Sequence, residues 1–243
     1  MNANLKTIVV VIGFSIAMAA LESAVVVYLR ALYYPDGFTV AMKMIDQQIL
    51  LVEIAREAAT LLMLLGVGWL AGKNFKDRFA YFLLSFAVWD ISYYLWLKAF
   101  IGWPSSLLEW DILFLIPFTW LGPVLAPVIC SMTMILLAIV ILRSNKQLTF
   151  GLWSLLLIGS IVILYTFMKD YGSIIITNGF FRDYSLIMQN KDFIAIASSY
   201  IPQSYSWEFF VFGEILILAG TAKMMRINYK LVTDEDLNRG NHN

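Results

Sequence analysis

The sequence predicts an all-α, polytopic transmembrane helix bundle of about six spans, built as a single integral membrane domain over residues 1–243. Three observations lead there. Of the 243 residues, 60% are hydrophobic and 14% charged, with a mean hydropathy of +0.76, whereas soluble domains are about half apolar and a quarter charged. Roughly six stretches reach the ~20 mostly apolar residues that a bilayer core asks of a helix. Fourteen glycines, six prolines and one cysteine, Cys130, exclude a collagen, a low-complexity tail and a disulfide scaffold.

The first span, 7–29, follows Lys6, and Ala17-Met18-Ala19 resembles a signal-peptide cleavage site. The apolar pattern nevertheless continues through Val25-Val26-Val27 to Tyr28-Leu29, so the segment reads as a span. The loop after it holds Tyr33-Tyr34-Pro35-Asp36-Gly37, a turn signature, and a mixed segment suited to the interface. Spans two and three are expected at 49–71 and 79–101. Prolines 104, 117, 123 and 127 then interrupt the chain before and in the fourth span, 117–142, where a Pro-broken or re-entrant region is expected because proline removes a backbone donor. The fifth span is expected at 150–168. The 37 residues from Asp170 to Ser206 are long enough to carry structure of their own. Helical spacing over 184–200 suggests an interfacial helix or lid, with a plain solvated loop as the alternative. The sixth span, 207–224, leads into a tail, 225–243. No internal repeat is evident.

Lysines and arginines give the orientation. The termini and the loops 72–78 and 143–147 hold ten, and the opposite side holds six: Arg30, Lys43, Lys98, Lys169, Arg182 and Lys191. The positive-inside rule therefore expects both termini in the cytoplasm.

Composition also limits the chemistry. Seventeen basic residues balance seventeen acidic ones, so no global field recruits nucleic acid. The single histidine, His242, stands in the polar tail, which argues against imidazole-ligated haem or zinc and against an internal histidine relay. Cys130 reads as a small apolar residue in a packed helix. Neither a phosphate-binding glycine loop nor a Gly-x-Ser-x-Gly or His-Glu-x-x-His motif is present. No cofactor is expected. A carboxylate-only metal site is a minor alternative, without the Glu-x-x-His of di-iron bundles.

Ionisable residues inside spans cost at least about 2.5–3.5 kcal/mol each on insertion scales, so each asks for a partner or a purpose. Glu22, Glu53, Arg56, Glu57, Asp90 and Glu214 fall within the spans, with Tyr94 one turn from Asp90 and Lys98 a further turn on. Their depths describe a polar pocket entered from the periplasmic side, and these eight are the candidate ligand- or ion-binding residues. Glu53, Arg56, Glu57 and Thr60 share one helical face. Arg56 can pair with either neighbouring glutamate but cannot neutralise both; locking two helices together is the structural alternative. Asp90 beside Tyr93 and Tyr94 suits proton sharing or cation coordination, or an interhelical clamp. Acids outnumber bases among these residues, so a proton or bound cation is expected on at least one carboxylate.

The runs Glu53-Ile54-Ala55-Arg56-Glu57-Ala58-Ala59-Thr60-Leu61, Phe79-Ala80-Tyr81-Phe82, Trp89-Asp90-Ile91-Ser92-Tyr93-Tyr94, Gly102-Trp103-Pro104-Ser105-Ser106-Leu107-Leu108, Trp110-Asp111 and Gly122-Pro123-Val124-Leu125-Ala126-Pro127 resemble a group of uncharacterised bacterial multi-pass inner-membrane proteins. The resemblance covers about a third of the chain. It implies a bacterial inner membrane and brings no activity with it.

Three functions compete. A proton- or cation-coupled small-solute transporter would use the acids as its binding site. A non-catalytic accessory or assembly subunit of a larger membrane complex would use them as staples. An intramembrane enzyme acting on lipid or quinone, with a carboxylate as acid or base, is least favoured. Expected partners are the lipid bilayer, a small cation or proton, and other membrane subunits.

Overall fold

The computed structural model describes the backbone of residues 3–40, 46–144, 148–180 and 190–240, with side chains within these over residues 5–225. The described residues form α1 (Ala3–Tyr33), α2 (Gln47–Ala71), α3 (Phe75–Ile101), β1 (Trp110–Phe114), β2 (Trp120–Pro123), α4 (Leu125–Arg143), α5 (Phe150–Thr177), α6 (Lys191–Ser199) and α7 (Trp207–Gly240). The fold is all-helical apart from one short hairpin. α1, α3, α4 and α5 are each long and apolar enough to cross a membrane. α2 and α7 are comparably long but carry most of the internal charges: Glu53, Arg56 and Glu57 on one, Glu208, Glu214 and Lys223 on the other.

Helix ends follow their capping chemistry. The Asn74 side chain accepts the Asp77 N–H at 3.0 Å and opens α3. Asn190 accepts the N–H groups of Asp192 and Phe193 and opens α6. Each satisfies amides that the helix itself leaves unpaired. α3 stops at Gly102, whose φ of 71° is left-handed and suits a residue without a Cβ.

The fourth span begins later than the sequence suggests. Helix α4 starts at Leu125 rather than 117, because residues 110–123 pair as an antiparallel hairpin with Trp110 opposite Pro123 and Ile112 opposite Leu121. Pro117 lies in the turn between the strands, Pro123 ends β2, and Pro127 falls in the first turn of α4, all places where a missing N–H breaks no ladder. The fifth helix runs on to Thr177, past the expected 168. Of the expected 184–200 segment, α6 forms the second half; residues 184–189 lie outside the described residues. The segment after 224 continues as helix to Gly240.

Helix α3 is the hub: α1, α2 and α4 all pack on it, while α4 also reaches α7, and α7 pairs with α5 along its length. One core cluster, around Ala80, Leu84, Leu137, Ile141 and Leu152, closes the end where α3 and α5 begin. A second lies at the hairpin end, where Phe193 and Ala197 of α6 pack on Tyr171, Ile174 and Ile175 of α5 and on Leu121. Full burial of the Phe193 ring contributes about 2–3 kcal/mol. Between α5 and α7 the backbones nearly touch. A Cβ added at either Gly159 or Gly213 would lie 2.8 Å from the carbonyl oxygen of the other, the small-residue approach common between membrane helices. Val10, Leu21, Leu62, Leu70, Phe150 and Ile161 are exposed on the outer faces, a belt that matches hydrocarbon better than water.

Candidate functional site

The helices and the hairpin enclose a cavity of about 420 Å³. Seven of the eight expected residues line it: Glu22, Glu53, Arg56, Glu57, Asp90, Tyr94 and Glu214. Lys98 does not. Its Nζ donates to the carbonyls of Gly102 and Pro104, at 2.9 and 2.8 Å, and so ties down the C-terminal end of α3. The reason is local: a lysine in the last turn of a helix meets the carbonyls that lack intrahelical partners.

The α1–α2 wall holds a cluster of two carboxylates on one guanidinium. Arg56 donates through Nε to Glu53 Oε2 at 2.8 Å, with Nη2 2.8 Å from the same oxygen. Through Nη1 it pairs with Glu22 of α1, and the second oxygen of Glu22 accepts from Thr60 at 3.0 Å. The expected contest between Glu53 and Glu57 for Arg56 does not arise. Glu57 turns toward the hairpin, where its two oxygens accept the Leu115 N–H at 2.8 and 3.1 Å. A carboxylate held by a turn amide fixes the hairpin tip against α2.

Deeper along the wall the arrangement changes. Asp90 Oδ2 accepts from Ser131 at 2.8 Å, and Glu214 Oε2 accepts from Thr133 at 2.7 Å. Asp90 is 9% exposed and Glu214 6%. Among the described residues neither has a cationic partner. Ser131 and Thr133 are two residues apart, about 200° around a helix, so α4 presents one hydroxyl to α3 and the other to α7. The acids are spread rather than convergent. Among the described residues no group of three His, Cys, Asp or Glu side chains is placed to hold a metal ion.

At the hairpin end stands a second ion pair, which the sequence did not reveal. Arg30 Nη2 donates to Asp111 Oδ1 at 3.0 Å. The Arg30 guanidinium lies 3.9 and 3.8 Å from the ring centroids of Phe38 and Trp103, which meet edge to face beside it. Tyr94, expected to serve Asp90, directs its hydroxyl at Asp111 instead. Burial pushes the Asp111 carboxyl up to about 6, while Arg30, the Ile112 amide and Tyr94 pull it back down.

The hairpin also supplies aromatic walls. Phe114 stacks on Phe86 and tilts against Trp89, and Trp120 lies parallel to Phe167 with 6.3 Å between centroids. Sequence reasoning missed Arg30, Asp111, Ser131, Thr133, Phe114 and Trp120. Arg30 looked like a loop charge beside the membrane. The alternation in Trp110-Asp111-Ile112 was the one signal for a strand with a buried acid. Comparison of the chain with protein-family models, curated proteins and solved structures found no match.

Proposed function

We propose that the chain is a six-span bacterial inner-membrane protein, with α2 and α7 crossing beside the four most apolar helices and both termini cytoplasmic, acting as a proton- or cation-coupled small-solute transporter. One observation carries the reading: Asp90 and Glu214 are buried in the cavity wall with only neutral partners among the described residues, the Ser131 hydroxyl for Asp90 and the Thr133 hydroxyl and Cys130 thiol for Glu214. An ionised carboxylate there lacks the compensation that Arg56 gives Glu22 and Glu53, and in low dielectric that deficit is costly. A proton or a cation, exchangeable through the cavity, supplies it. Placing α2 and α7 in the bilayer is consistent with the same picture, because Glu53, Arg56, Glu57 and Glu214 face the cavity, the usual place for charge in a membrane bundle, while Glu208 and Lys223 lie toward the ends of the expected 207–224 span.

The test is direct. Protein in nanodiscs should show melting shifts that depend on pH and on added Na⁺, K⁺ or organic ammonium, and proteoliposomes should accumulate solute when a proton or Na⁺ gradient is imposed. No shift across these conditions sinks the reading. Orientation is tested by cysteine labelling in a Cys130→Ser background. Asn74→Cys should be reached only from the cytoplasmic side, and labelling from the periplasm reverses the topology.

The second reading, an accessory or assembly subunit, draws on the Arg56 cluster, which joins α1 to α2 where the two helices otherwise touch little. It expects no ligand response and a partner that co-purifies.

A further inference from the structure

The cavity holds charge of both signs in separate places, and the positive place is incomplete. Arg30 Nε and Nη1 are buried without a hydrogen-bond partner among the described residues, and the side chain is 9% exposed. Phe38 and Trp103 pack around its guanidinium, whose N–H donors all lie in its plane. Asp111 occupies only Nη2. Arg30 lines the cavity, and a planar guanidinium fixed in this way suits carboxylate or phosphate oxygens.

One helical turn deeper lies the opposite pole. Asp90 is four residues from Tyr94, which faces Asp111, so the two levels are separated by ~6 Å along α3. There Asp90 and Glu214 have no cationic partner among the described residues, and Trp89, Phe114 and Trp120 supply aromatic faces of the kind that attract organic ammonium groups.

We propose that the cavity binds a small zwitterion, its anionic group on Arg30 at the hairpin end and its ammonium group one turn deeper among the aromatic rings beside Asp90 and Glu214. The inference rests on the solute-binding reading above and adds the class of solute. The shared chemistry has two sources, a free solute or the headgroup of a zwitterionic lipid.

The experiment is a thermal-shift titration in phosphatidylglycerol nanodiscs with 4-(trimethylammonio)butyrate, tetramethylammonium and butyrate. Wild type should respond to the zwitterion at concentrations about tenfold or more below tetramethylammonium, the size of one added charge-assisted contact. The double variant Arg30→Met/Asp111→Asn removes both charges of the pair, so neither is stranded. It should lose the preference for the zwitterion and keep the tetramethylammonium response. Arg30→Lys retains the charge without the fork and should weaken zwitterion binding; it decides the matter if the double variant does not fold.

Equal responses to zwitterion and tetramethylammonium in wild type, or an unchanged preference in a folded variant, overturn the zwitterion site and leave the transporter reading standing. No response to any cation overturns both. Repeating the melts in phosphatidylcholine discs identifies the source. A raised wild-type melt and a lost response to the soluble probe, both absent in the variant, assign the site to the headgroup; an unchanged response assigns it to free solute.

Discussion

Two groups of acids face the same cavity under different terms. Glu22 and Glu53 reach one arginine from neighbouring helices, and Thr60 takes a further oxygen. Asp90 and Glu214, on α3 and α7, reach neutral groups of α4 among the described residues: the Ser131 hydroxyl for Asp90, the Thr133 hydroxyl and Cys130 thiol for Glu214. The first group shares one guanidinium between its two carboxylates and holds α1 to α2. The second leaves its compensation to whatever enters the cavity. Burial alone does not separate them, since Glu53 is 5% exposed and Glu214 6%. The identity of the partner does.

The largest expected effect breaks the compensated group. Arg56→Ala strands Glu22 and Glu53 together, and loss of one member of a buried pair costs about 3–5 kcal/mol. The melting temperature in detergent should fall sharply or the protein should fail to insert. An unchanged melt would place Arg56 in bulk water and erase the contrast. Glu57→Gln should be milder, about 1 kcal/mol, because the amide oxygen can still accept from Leu115 while losing its charge. A cost as large as that of Arg56→Ala would mean that Glu57 belongs to the ionic cluster after all.

Asp90→Asn and Glu214→Gln sharpen the comparison from the other side. Each keeps shape and most hydrogen bonding, so melting should move little while the cation- and pH-dependent shift shrinks. If the melt drops and the ion dependence stays, the two acids are staples like Glu22 and Glu53.

The smallest effect belongs to Asp111. Its carboxyl, near 3.8 in the unfolded chain, titrates at about 6 in the fold, so the folded state binds the extra proton between those values. Stability from this group is therefore greatest on the acid side and declines as pH rises toward 6, with no further change above. Melts taken at about pH 5 and pH 7 should differ less in Asp111→Asn than in the wild type; an equal difference would assign the slope to other groups.

Much of the helical frame was legible because apolar runs and caps report on their own segment. The expected 49–71 and 79–101 became Gln47–Ala71 and Phe75–Ile101, ends within a few residues. The start of the fourth span was misplaced, at 117 against Leu125, because a short apolar run looks the same in a buried strand and a helix. Within the site, Glu22, Glu53, Glu57, Asp90 and Glu214, singled out as charges inside spans, line the cavity, but their partners were not readable. Glu57 binds a backbone amide, which every residue has, and Asp90 binds a serine on another helix. Arg30 was hidden for the opposite reason. A basic residue at a span end ordinarily sits in solvent, and only the fold of residues 103–111 over it shows otherwise.

The near-contact of Gly159 with Gly213 has a mechanical consequence. Ile163 and Ile217 flank the contact, so a roll or slide of either helix would drive a Cβ-bearing residue against the facing backbone. The cavity face that bears Glu214 and the face that bears Phe167 must travel as a single jaw. Any hinge that widens the cavity has to lie at the edges of that jaw, where α4 meets α7 and where β2 leans on α5.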